Sequence, residues 1–206
     1  MRYRKTLVQQ RTQQINRVHK VLETANIKLS SVASDVLGKS GRDMLEALLA
    51  GISDVESLAD LARGRLRAKL PALREALEGR VEDTHRILLR HLLDQIDTLE
   101  TLIEKLQGEI DQLLLPYQAL LALLLQIPGI GRTAAAAILA EIGDAMTRFP
   151  SAKHLSSWAG VAPGNRQSGG KRLKAASNKG NTHLRAVLAE AVWVISHTKD
   201  NYLSAQ

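Results

Sequence analysis

The sequence predicts an all-α fold, and three observations carry that expectation. Leu and Ala supply most of an apolar share of 45%, while aromatic residues make up only 3%; Leu and Ala are strong helix formers, whereas sheets favour aromatic and β-branched residues. Apolar positions recur at three- and four-residue steps through much of the chain. Ser before such runs and Gly after them supply helix punctuation. At 206 residues there is room for two small domains with buried cores. The absence of cysteine excludes disulfides and thiolate metal sites and fits a reducing compartment. No apolar run is longer than that at 119–125, which falls far short of the ~20 residues of a membrane span. The basic start, Met1-Arg2-Tyr3-Arg4-Lys5, lacks a following apolar signal core. A soluble, cytoplasmic, helical protein with no membrane partner is expected.

Residues 4–24 read as one amphipathic helix with Leu7, Ile15, Val18, Val21 and Leu22 on its apolar side. Residues 1–20 carry six basic groups and no acid, as a nucleic-acid-facing surface or a solvated helix face would. Ser40 reads as the N-cap of a helix carrying Met44, Leu45, Leu48 and Leu49, closed by Gly51. Ser53 and Glu56 match a capping box for 55–62. A helix-turn-helix DNA reader over 30–64 fits poorly, since the basic run Arg63, Arg65, Arg67 and Lys69 begins only at its end. From Pro71 to about Leu115 the recurring Leu and Ile predict a long helix packed on a partner, either the 4–24 helix or another copy of the chain. Gly79 and Gly108 mark candidate bends. Residues 1–115 are thus expected to form a helical, coiled-coil-like arm able to support a homo-oligomer.

Pro116 marks the expected boundary of a compact domain over 116–206. Residues 117–126, the turn Ile127-Pro128-Gly129-Ile130-Gly131, and the Ala-rich stretch from Arg132 to Gly143 form a helix-hairpin-helix pattern. Gly129 and Gly131 permit positive φ and close backbone approach, Ile130 anchors the turn, and the N–H groups at Arg132 offer a site for one phosphate. Such contact reads no base and is independent of sequence. Equally, hairpins of this type serve for packing alone. Pro150 and Ser151 open the next helix, in which Leu155 and Trp158 read as core contacts and Gly160 as the terminator. The last helix follows Asn181, with Leu184, Val187, Leu188, Ala191 and Val192 as its apolar face.

Charge is distributed unevenly. Residues 145–189 contain eight Lys and Arg and no Asp or Glu, so the remaining 161 residues sum to about −1 of a total of +7. Within this span Pro163-Gly164-Asn165-Arg166-Gln167-Ser168-Gly169-Gly170-Lys171-Arg172 reads as a flexible basic loop, followed by Lys174, Lys179, Asn181 and Arg185. A concentrated positive field on pliable backbone suits a polyanion, because neutralising phosphates releases counterions. An ordinary solvated loop mixes both signs.

Gly169-Gly170-Lys171 is not a nucleotide-binding P-loop, since Asn165 stands where its first glycine belongs and Arg172 where Ser or Thr belongs. After Asp144 the only acids are Glu190 and Asp200, too few for a carboxylate metal centre, and the six histidines show no ligand spacing. Ser168 is the candidate nucleophile: a serine hydroxyl can attack a phosphodiester and hold it as a phosphoserine link, with Arg and Lys stabilising the transition state. A serine before two glycines is otherwise an ordinary turn residue.

The blocks Ile127–Gly131, Ala140–Asp144, Arg148-Phe149-Pro150, His154–Gly160, Pro163-Gly164-Asn165, Ser168, Gly170-Lys171-Arg172, Lys179-Gly180-Asn181 and Leu184-Arg185 closely resemble the C-terminal domain of the insertion-sequence one-ten family, bacterial serine-dependent DNA transposases. Residues 25–32 and 40–45 resemble the helical middle region of the same proteins. The resemblance implies DNA cleavage and strand transfer through Ser168, with DNA and an element-encoded guide RNA as partners. It further implies that a divalent metal (Mg2+) belongs to an N-terminal RuvC-like domain, for which these residues hold no counterpart, and that the chain needs no cofactor of its own. On that reading the chain is a C-terminal portion of a transposase, incomplete as a catalyst. Two other readings stay open, a non-catalytic nucleic-acid-binding fragment and a helical oligomerisation module.

Overall fold

The computed structural model describes residues 1–164, 166–173 and 179–198, with only the backbone described for 166–168, 172 and 173. The fold is all-α, with one short β-hairpin. Its helices are α1 (Arg2–Thr24), α2 (Lys39–Leu49), α3 (Val55–Ala59), α4 (Leu70–Leu77), α5 (Asp83–Leu113), α6 (Gln118–Leu125), α7 (Arg132–Ile142), α8 (Ala152–Ala159) and α9 (Thr182–His197). Strands β1 (Arg166–Ser168) and β2 (Lys171–Leu173) lie between α8 and α9. Among the described residues no helix is long and apolar enough to cross a membrane. The chain divides into two compact units, Arg4–Leu106, and Met1–Tyr3 with Gln107–Gln206.

In the Arg4–Leu106 unit, Val18 and Leu22 of α1, Met44 and Leu45 of α2, Leu73 and Leu77 of α4, and Leu89, Leu93 and Ile96 of α5 form one apolar core. Helix α5 buries Leu89, Ile96 and Ile103 at seven-residue steps in this unit, the spacing of a helix seam. Ile87 and Leu88, two of the recurring apolar residues of this stretch, are exposed. The long helix expected from Pro71 is split, with α4 ending at Leu77 and α5 starting at Asp83. The physical reason lies at Gly79, where an added Cβ would stand 2.4 Å from the Ala25 carbonyl oxygen. The chain crosses itself closely there, joined by Arg80 N–H donating to Ala25 O at 2.8 Å and Lys28 N–H donating to Ala76 O at 2.8 Å. Gly108 lies inside α5 and does not interrupt it.

Two expected caps shift. Gly38, not Ser40, is the N-cap of α2, and Ser40 instead accepts the Arg63 N–H at 2.9 Å. Asp54, not Ser53, caps α3 by accepting the Ser57 N–H at 2.8 Å. Ile96, 1% exposed, tests the core: Ile96→Val removes one buried methyl group and is expected to cost about 1 kcal/mol. Chemical denaturation followed by circular dichroism measures this, and an unchanged midpoint would show that the seam is loosely packed.

In the other unit, α9 packs against α7 and α8, and α6 against α7. The buried face of α9 is Leu184, Ala191 and Ile195, while Val192 is 63% exposed, contrary to expectation. Trp158 is likewise no core residue: it lies 40% exposed, with its ring 5.3 Å from that of Phe149.

Candidate nucleic-acid interface

The turn between α6 and α7 is built on different principles at its two glycines. Gly129 adopts φ +79°, and a Cβ there would stand 2.6 Å from both the Ala191 carbonyl oxygen and Ile195 Cγ1. Its missing side chain therefore lets the turn seat on α9. Gly131 has ordinary extended geometry (φ −85°, ψ 173°), caps α7, and has open space where a Cβ would be. The expected pair of positive φ angles is thus a single one. Ile130 anchors the turn as expected, 8% exposed. Arg132, the first residue of α7, directs its guanidinium to Asp111 at 3.2 Å.

Residues 166–173, read from sequence as part of a flexible loop, form an antiparallel hairpin with Arg166 opposite Leu173, Gln167 opposite Arg172, and Ser168 opposite Lys171. Gly169 (φ +56°) and Gly170 (φ +75°) are its two turn residues. Positive φ at both central positions is the type I′ turn, whose twist matches that of paired strands; Gly-Gly adopts it without steric cost. Ser168 and Lys171 are consequently the last paired residues on either side of the turn, and Lys171 is exposed. Asn165 and Lys174 lie outside the described residues.

Lys179 and Asn181 enter a separate basic depression of about 470 Å³, lined also by Arg2, Trp158 and His183. Asn181 caps α9: its Oδ1 accepts the His183 and Leu184 N–H groups, each at 3.0 Å. Its Nδ2 donates to Glu141 Oε2 at 2.6 Å. Both ends of the Asn181 amide are thereby engaged inside the protein. Glu141, on α7, also receives two hydrogen bonds from Arg2, Nε at 2.8 Å and Nη2 at 2.7 Å. The Arg2 guanidinium is the main cause holding the Glu141 carboxyl down at about 2; burial opposes it, and the Asn181 amide and the His183 charge assist. Arg185 lies exposed on the first turn of α9.

Glu141 was not among the residues expected at the site, although one signal was available. It is the only charged residue between Arg132 and Gly143, in a helix otherwise made of small and apolar side chains. Among the described residues no group of three or more His, Asp or Glu is placed to hold a metal ion.

This helical unit thus carries a two-stranded ribbon with a basic sequence and a separate depression lined by Arg2, Lys179 and His183. Comparison with known proteins is more specific: residues 121–206 match the model of the Transposase IS116/IS110/IS902 family. The "Probable family 20 transposase" of Pseudomonas aeruginosa is 32% identical over 185 residues, 89% of this chain and 50% of that protein. The "Pilin gene-inverting protein" of Moraxella lacunata is 38% identical over 110 residues, 52% of this chain and 33% of that protein. An insertion element IS110 protein of Streptomyces coelicolor is 45% identical over 56 residues, 27% of this chain and 14% of that protein. The chain thus spans half or less of the length of these relatives. No solved structure matches.

Proposed function

We propose that this chain acts in DNA transposition or recombination, with Ser168 as the nucleophile that breaks and rejoins the DNA backbone. The observation that carries the reading is the match of residues 121–206 to a transposase family, a stretch that includes the acid-free residues 145–189 and the hairpin. The relative named as pilin gene-inverting points the same way, toward rearrangement of DNA segments. In the proposed step Ser168 Oγ attacks phosphorus, an O–P bond forms, and the bond from phosphorus to one sugar oxygen breaks. The serine proton passes to water or a base, and the departing sugar oxygen takes up a proton. A hydroxyl of another strand reverses the exchange, forming a new phosphodiester and freeing the serine. Lys171, paired with Ser168 across the turn, supplies positive charge where the phosphoryl group gains negative charge.

Gly131 and Arg132 at the start of α7, the hairpin residues Arg166, Gly169, Gly170 and Arg172, and Lys179 and Arg185 would carry the sequence-independent backbone contacts. A guide RNA as second polyanion, and self-association through residues 1–115, belong to the same proposal.

The test is to incubate the full chain with end-labelled DNA and resolve covalent adducts under denaturing conditions. An adduct that disappears in Ser168→Ala supports the nucleophile, and one that persists in that variant overturns it. Binding without an adduct favours the alternative, a non-catalytic nucleic-acid-binding role. In the same assay Lys171→Glu with Arg172→Glu is expected to weaken binding and to flatten the dependence of log K on log salt by about two units. An unchanged slope would place the DNA on another surface.

A further inference from the structure

We infer that the Arg4–Leu106 unit holds a second binding site, a groove that takes the phosphodiester backbone of a nucleic acid strand. It is about 530 Å³ in volume and is walled on one side by the segment 63–69 and on the other by residues 32–41. The first wall contains Arg63, Arg65, Arg67 and Lys69 and no acid. Gly64, at φ +55°, turns the chain into the 3₁₀ helix Gly64–Lys69 that carries the last three of these cations. At about 2 Å of rise per residue that helix runs for about 12 Å, enough to pass several phosphates of a strand spaced about 3.4 Å along a duplex axis. Arg65 and Lys69 line the groove from this wall, Lys39 lines it from the other, and Val32, Ala33 and Leu66 add apolar surface.

The contrast with neighbouring arginines gives the groove its meaning. Elsewhere in the unit, Arg42 is bonded to Asp97, Arg74 to Glu56, Arg86 to Asp83 and Arg90 to Glu46. Arg63, at the groove's edge, is closed by Asp43 at 2.7 Å. Lys69 Nζ donates to the Val32 carbonyl oxygen at 3.1 Å, a contact that leaves its charge uncompensated. Among the described residues no ion pair engages Lys39, Arg65 or Lys69. Asp35 is the one acid lining the groove, and its Oδ1 already accepts the Leu37 N–H at 3.0 Å. Several cations facing one open groove with one carboxylate among them fit a repeating monoanion. DNA and RNA share that chemistry. The site is distinct from the Ser168 hairpin, and its existence does not depend on Ser168 being a nucleophile.

The test uses the full chain with two fluorescent probes of mixed sequence, a duplex DNA and a single-stranded RNA, and reads anisotropy across a salt series. Lys39→Gln with Arg65→Gln, two exposed side chains outside the core, is expected to lower the log K against log salt slope by about 1.4 to 1.8 for the strand that occupies the groove. Asp35→Asn keeps an acceptor for Leu37 and removes the repelling charge, so it is expected to tighten binding by roughly threefold. A changed slope for one probe assigns the strand, and a change for both assigns the shared backbone. Unchanged slopes for both probes overturn the groove, whereas the Lys171 and Arg172 charge reversals test the hairpin separately. The inference is also overturned if a polyglutamate peptide shows the same loss in the double variant while both nucleic acids keep their slopes.

Discussion

Replacing Gly180 by alanine is expected to destabilise the unit containing residues 107–206 by about 3 kcal/mol or more. A Cβ at position 180 would stand 2.2 Å from the Gly160 amide nitrogen and 2.5 Å from its Cα. Both are backbone atoms, so no rotamer change relieves the clash. Gly160 is itself fixed, in the left-handed conformation that ends α8. The neighbouring bond, from Asn181 N–H to the Trp158 carbonyl at 2.9 Å, ties the two segments together. Moving them apart would break that bond and disturb the cap of α9. Both tryptophans of the chain, Trp158 and Trp193, belong to this unit, so denaturation followed by tryptophan fluorescence reports it selectively. A midpoint equal to that of the parent chain would show that the crossing is looser than drawn.

Neutralising Glu141 is expected to remove stability in a pH-dependent way. Its carboxyl is lowered from 4.5 to about 2, so its contribution is complete above pH 4.5 and is lost as the pH falls toward 2. At about 1.36 kcal/mol per unit the shift corresponds to about 3 kcal/mol. Because the Arg2 side chain is 60% exposed, screening by solvent brings the expectation to about 2 kcal/mol. Glu141→Gln keeps an acceptor for the Asn181 amide and removes the charge that Arg2 grips. Parent and variant should therefore differ by that amount near neutral pH, draw together below about pH 4.5 and converge as the pH falls through about 2, again by tryptophan fluorescence. A gap of constant size across this range would mean that packing, not charge, is what the variant lost.

Helices are local, and the sequence shows them well where their periodicity is undisturbed: α1, α7 and α9 fall close to the stretches their apolar spacing marks. What was illegible depended on partners remote in sequence. The Leu and Ile pattern runs on through Gly79, and only the closeness of the Ala25 carbonyl shows why the helix must stop there. The apolar face of α9 shifted from Val192 to Ile195 because Ile195 meets the turn at Gly129, more than sixty residues earlier. In the candidate site, the basic character of residues 145–189 was plain from composition. The hairpin is hard to see in the sequence although Gly-Gly between short segments is a turn signal, because the flanking residues lack the apolar alternation of strands. Asn181 was singled out for contact with DNA, yet its amide links the start of α9 to Glu141, a pairing that no sequence spacing announces.

The turn at Gly169-Gly170 carries a stereochemical consequence. Left-handed backbone at two successive positions discriminates by chirality and not by polarity or size, so most L side chains are disfavoured there however small. Asn at the first position is the natural exception, because Asn-Gly tolerates the same geometry. The four residues from Ser168 to Lys171 are therefore a segment of fixed length as well as fixed hand. An inserted residue would shift one strand against the other and uncouple the serine from the lysine opposite it. Sequence drift in the strands is compatible with the ribbon, whereas the interval between its serine and its lysine is not free to change.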